Sequence, residues 1–206
     1  MILRFALLLS AFVAAPLAAQ TPLGILAPAP KEDLIPVAID TSAGRIVIAL
    51  DRGRAPVTTA NFLRYVDAHR FDGETFYRAM KTGEQGGLIQ GGIRSDARKL
   101  FPPIAHEPTS KTGLKNIAGA VSIARLEPGT ARADFFILTT DIPGFDAGAP
   151  GGDPDGFAVF GRVTEGMEVV NAIFASPVSA TKGEGAMKGQ MLDPPIKIIK
   201  ASRVKN

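Results

Sequence analysis

Three polar side chains with chemical potential stand in this sequence, each inside a short apolar run. They are Arg78 in Phe76-Tyr77-Arg78, Gln90 in Leu88-Ile89-Gln90-Gly91-Gly92, and Asp134 in Asp134-Phe135-Phe136-Ile137-Leu138-Thr139. Runs of β-branched and aromatic residues bounded by Gly, Pro or charge read as strands. Side chains alternate faces along a strand, so the parity expected is Phe76 with Arg78, Leu88 with Gln90, and Asp134 with Phe136. If the three strands are neighbours, they assemble a guanidinium, an amide, a carboxylate and two aromatic rings into one patch. No nucleophile with an adjacent base falls within it, and Ser122 has no base beside it either. Such a patch binds and polarises; it does not cut.

The elements that must hold this patch follow from the rest of the chain. Val37–Asp40 and Arg45–Leu50 flank a Gly-containing turn and form a hairpin. Pro56 opens a helix, and Val57, Phe62, Leu63, Tyr65 and Val66 recur at helical spacing as far as Ala68. Strands are expected over 75–80 and 88–93, an antiparallel pair over 119–125 and 135–139, and a strand over 157–164. A short helix over 167–174 and a last strand over 196–201 complete the chain. Some eight strands, two helices and no βαβ alternation predict an all-β fold, a closed eight-stranded antiparallel β-barrel capped by two α-helices.

Composition narrows the function. The 206 residues are 46% hydrophobic and 21% charged, with a net charge of +3 and no dense basic run. That excludes a nucleic-acid groove. Cys is absent and the two His, His69 and His106, lack ligand spacing, so no metal or cofactor is expected. Asp141, Asp146, Asp153 and Asp155 do not follow the alternating pattern of a Ca²⁺ loop and read as a solvated turn. Residues 1–19 place one cation, Arg4, before the apolar run Phe5–Val13 and close on small residues. The run is too short to span a bilayer, and the order is that of a signal peptide. A periplasmic location follows, with no stable membrane insertion after cleavage. Residues 20–36 are Pro- and Ala-rich and read as an extended leader, with the folded domain over 37–206.

Taken together, Phe76-Tyr77-Arg78, Gln90-Gly91-Gly92, Ser122-Ile123-Ala124, Asp134-Phe135-Phe136-Ile137 and Val159-Phe160-Gly161-Arg162-Val163 resemble the cyclophilins. These are peptidyl-prolyl cis-trans isomerases built on an eight-stranded barrel with two helices. The resemblance makes Arg78 the catalytic residue. It makes Leu88, Gln90 and Phe136 the lining of the proline pocket, and Ala124 and Arg125 the edge that binds substrate backbone. Phe145, or its neighbour Gly144, takes the place of the family's tryptophan, Phe157 that of its histidine, and Asp134 that of a second glutamine. With Phe76 counted from the strand parity, these are the expected substrate-binding residues. Gly87 stands where a phenylalanine is usual. The partners implied are proline-containing peptides and exported proteins in the course of folding, acted on by a monomer. The other reading is a low-activity module that grips proline-containing segments without significant turnover.

Overall fold

The computed structural model describes residues 31–204 except 84–85 and 95. Val, Ile and Leu run through β1 (Leu34–Thr41) and β2 (Gly44–Asp51), whose register pairs Leu34 with Asp51 and Thr41 with Gly44. β1 thus begins three residues ahead of the strand read from the sequence. The helix α1 (Pro56–Asp67) follows, then β3 (Thr75–Lys81), β4 (Gly87–Gly92), a one-turn helix α2 (Thr109–Thr112), β5 (Ala120–Ile123) and β6 (Phe135–Leu138). β7 (Val159–Glu165), α3 (Met167–Phe174), the two-residue β8 (Val178–Ser179) and β9 (Met191–Arg203) complete the order.

The sheet runs β1-β2-β7-β5-β6-β4-β3-β9, and β9 pairs back onto β1. Every pairing is antiparallel, so eight strands close into the expected barrel, with β8 appended to β9. Closure leaves no free edge among these strands, which removes a route to aggregation. The interior is packed with rings. Phe62 on α1 meets Phe135 edge-on at 5.1 Å, and Phe76 meets the same ring at 5.6 Å.

Two helices cover the barrel, as expected. α1 has no side-chain cap of its own. Glu107, buried on a distant loop, accepts from the Val57 and Thr58 N–H groups at 3.1 and 2.7 Å. A carboxylate there satisfies orphan donors and faces the positive end of the helix. α3 starts at Gly166, which takes a φ of +84° and lies against the Arg45 carbonyl where a Cβ would collide. Only Gly meets both demands.

One irregularity decides the site. β3 carries a bulge at Tyr77, so Phe76 pairs with Gly91 while Arg78 pairs with Gln90. A bulge inserts one residue and resets the alternation of faces. Phe76 and Arg78 therefore point to opposite sides of the barrel wall.

Candidate active site

The register places one row of residues across the outer wall. Met191, Arg78, Gln90, Phe136, Ser122 and Val159 are successive Cα partners on β9, β3, β4, β6, β5 and β7. Directly opposed residues share a face, so the row brings Arg78, Gln90 and Phe136 together as the sequence reading required. Leu88 lies in the next row, paired with Leu138. Leu88, Phe136 and Val159 form an apolar cluster separate from the barrel core, with Ala124, Phe145 and Phe157 packed against it.

The guanidinium of Arg78 is half-buried and held on two sides. Its Nε donates to Gln190 Oε1 at 2.8 Å and its Nη1 to Gln90 Oε1 at 2.8 Å. Nη2 has no partner among the described residues. Burial lowers the guanidinium pKa from its ordinary value; an arginine still remains charged. Two amide oxygens thus orient a cation without neutralising it. Gln190, from the loop before β9, also donates its Nε2 to the Ala186 carbonyl at 2.8 Å, which locks the amide.

Phe136 is 3% exposed. Phe157 and Phe145 approach it edge-on at 5.4 and 5.8 Å. Both rings sit on loops, and Asn116 ties those loops down. Its Nδ2 donates to the carbonyls of Phe145 at 3.0 Å and Phe157 at 3.3 Å, while its Oδ1 accepts from Ser122 Oγ at 2.8 Å.

Arg125 turns its side chain inward, where only 2% of it is exposed. It donates to the Gly156 carbonyl at 3.2 Å and to Asp153 at 2.8 Å, and lies over the Phe157 ring at 5.2 Å. Its backbone N–H and C=O have no partner among the described residues. The Ala124 N–H is already taken by the Asp134 carbonyl at 2.8 Å. The edge available to a substrate backbone therefore centres on Arg125.

Two expectations change. Phe76 is 0% exposed and packs in the barrel core, so it is no part of this patch. The bulge at Tyr77 is the cause. Gly91 opposite it accommodates the ring, since a Cβ there would lie 2.8 Å from Phe76 Cδ1. Asp134 does not reach Arg78 either. Its carboxyl is buried beside Tyr77, with Arg94 and Glu74 near, and burial raises its pKa to about 6. Its Oδ1 is shielded and has no hydrogen-bond partner among the described residues. Burial likewise raises the Tyr77 pKa, helped by the Asp134 charge. Asp134 lines a neighbouring cleft of about 290 Å³ that opens between Gln90, Ala124, Arg94 and Met187.

Sequence reasoning missed Gln190 and Asn116. Both lie in loops with no periodicity, and only folding brings them to the row; nothing local in the sequence marks them. Gly87, in place of a phenylalanine, has no room for a side chain, because a Cβ would meet the Met80 backbone and the Phe174 ring.

A closed antiparallel barrel with an arginine and an aromatic hollow on its outer wall defines a class, and comparison with known proteins names it. Residues 36–203 match the model of the family "Cyclophilin type peptidyl-prolyl cis-trans isomerase/CLD". The chain belongs to that family. It is 38% identical over 141 residues to peptidyl-prolyl cis-trans isomerase A of Dickeya dadantii, covering 66% of this chain and 70% of that protein. It is 34% identical over 139 residues to peptidyl-prolyl cis-trans isomerase B of Escherichia coli, covering 66% of this chain and 82% of that one. In fold it is similar to a cyclophilin-type isomerase of Cryptosporidium parvum, with a TM-score of 0.67 at 20% identity, covering 84% of this chain and 99% of that one.

Proposed function

We propose that this chain accelerates cis-trans isomerisation of X–Pro bonds in exported proteins as they fold, with Arg78 as the catalytic residue. The observation that carries the reading is the Arg78 fork, pinned at Nε and Nη1, with Nη2 unpartnered among the described residues on the wall that bears Phe136. Relatives named as peptidyl-prolyl isomerases support it. So does a cyclophilin from Cryptosporidium parvum, similar in fold and solved in the presence of the dipeptide Ala-Pro.

Rotation about a peptide bond meets a barrier of ~18–20 kcal/mol because it breaks amide resonance. For X–Pro bonds the uncatalysed exchange takes roughly tens to hundreds of seconds. At the top of the barrier the nitrogen regains a lone pair, and a fixed N–H donor can then stabilise it. Arg78 meets no such lone pair in the planar ground state, so its contribution falls on the transition state. A thousandfold acceleration requires about 4 kcal/mol, within reach of one preorganised charged donor. Phe136, Leu88, Phe145 and Phe157 wall the proline ring, while the backbone groups of Arg125, unpartnered among the described residues, offer hydrogen bonds to the substrate chain. The reaction moves no atoms between molecules, and the residues named supply the whole of it.

The test is a protease-coupled assay on a short X-Pro peptide. Arg78→Ala should lower kcat/KM by about 100-fold while the peptide Kd changes little. Equal losses in both would overturn the assignment. The second reading, gripping without significant turnover, is favoured by the near-complete cover of Phe136 by two ring edges. It predicts measurable peptide binding with no rate above background.

Export rests on the order of Arg4, Phe5–Val13 and the small residues up to Gln20, which lie outside the described residues. N-terminal sequencing of the periplasmic fraction should find a new terminus near Gln20. The working form we propose is a monomer, which sedimentation at the mass of one chain would support.

A further inference from the structure

Beyond Phe136 on the outer wall, over β5 and β7, lies a groove of about 350 Å³ whose lining includes neither Arg78 nor Gln90. Its apolar lining is Leu114, Ala120, Val159 and Val163, and Ile117 stands at its rim, 53% exposed. It continues past Ala118 and Gly119 into a second hollow of about 420 Å³ at the start of α3. Arg54 and Arg162 line one end of the groove, and Glu32 bridges them, accepting at 3.0 and 2.5 Å.

That bridge fixes where the N-terminal segment leaves the barrel. The Lys31 carbonyl lies over Gly53, where a Cβ would collide with it, and the Arg52 N–H donates to the Asp33 carbonyl at 2.8 Å. The chain is therefore anchored through residues 31–33 at the mouth of the groove. Immediately upstream is Thr21-Pro22-Leu23-Gly24-Ile25-Leu26-Ala27-Pro28-Ala29-Pro30, without a charge and with three large aliphatic side chains. Ten residues of extended, Pro-rich chain reach about 30 Å.

We propose that residues 21–30 dock along this groove, with Leu23, Ile25 and Leu26 against Leu114, Ile117 and Val163. The argument is one of origin and chemistry. Glu32 and Asp51 together balance the two arginines at the mouth, an uncharged apolar segment lies just upstream, and the groove offers apolar surface at Leu114, Val159 and Val163 for it to cover. The groove shares Leu114, Ala120 and Val159 with the cluster packed around Phe136. The docked segment thus flanks the cluster that carries the proline pocket.

The chain has no cysteine, so a pair of introduced thiols reports on the leader alone. Ile25→Cys with Ile117→Cys should form an intramolecular disulfide in dilute solution at least ~10-fold faster than Ile25→Cys with Ile199→Cys, exposed on β9, which lies across β1 from the strands of the groove. Adding Leu23→Asp and Leu26→Asp should bring the first rate down to the second; these residues precede the barrel strands, so its folding is spared. If the Asp substitutions leave the rate unchanged, tethering alone brings the thiols together and the proposal fails. If the disulfide joins two chains instead, a second copy occupies the groove and the proposal fails as well.

Discussion

Replacing Asp134 by Asn tests the electrostatic reading of the site most sharply. Burial raises the carboxyl from 3.8 to about 6. A tenfold change in acidity is worth about 1.4 kcal/mol, so the full difference between neutral and charged forms is about 3 kcal/mol. The folded value lies above the unfolded one. The favourable contribution of the protonated group is therefore fully present below about pH 4 and is lost as pH rises through about 6. Between about pH 4.5 and 7.5 the wild type should lose about 2 kcal/mol of stability on this account. A side-chain amide at this position has no proton to lose, so the curve of the variant should lack that fall. Urea unfolding of both proteins at the two pH values gives the comparison. The expected result is that D134N gains on the wild type by about 2 kcal/mol in going from the lower pH to the higher. A gap that is the same at both pH values would refute the argument, because it would mean that the carboxylate is solvated or paired in the folded protein. Since Asp134 leaves the Arg78 fork alone, the same substitution should change kcat/KM far less than Arg78→Ala does.

Three further predictions concern neighbouring contacts. Gln190→Ala frees the Arg78 Nε and should lower kcat/KM by roughly 3- to 10-fold with little change in stability; an unchanged rate would show that Gln90 alone orients the fork. Asn116→Ala removes the ties to the Phe145 and Phe157 carbonyls. It should cost about 2–3 kcal/mol in chemical denaturation and raise KM. Gly92→Ala puts a Cβ within 2.5 Å of Asp134 Oδ1 at a φ of +134°. A melting temperature lowered by several degrees is expected, and wild-type stability would contradict the close packing described there.

Patterning along the chain was enough for the barrel. Alternation and turn residues located the strands around Arg78, Gln90 and Phe136. The ring pair Phe135-Phe136 divides as parity demands, one into the core and one onto the outer wall. The helices over 56–67 and 167–174 were legible for the same local reasons, Pro56 at one start and Gly166 at the other. What parity cannot see is an inserted residue. The bulge at Tyr77 depends on how β3 meets β4 and β9 together, and it sends Phe76 inward while keeping Arg78 out. Nor does a sequence show which polar groups will meet from afar. Gln190 reaches Arg78 across 112 positions, and Asn116 binds two loops 29 and 41 residues away. Those distances close only when the barrel closes. The residue types of the site are thus a property of the chain, whereas their orientation and the protonation of Asp134 are set by burial and register in the folded wall.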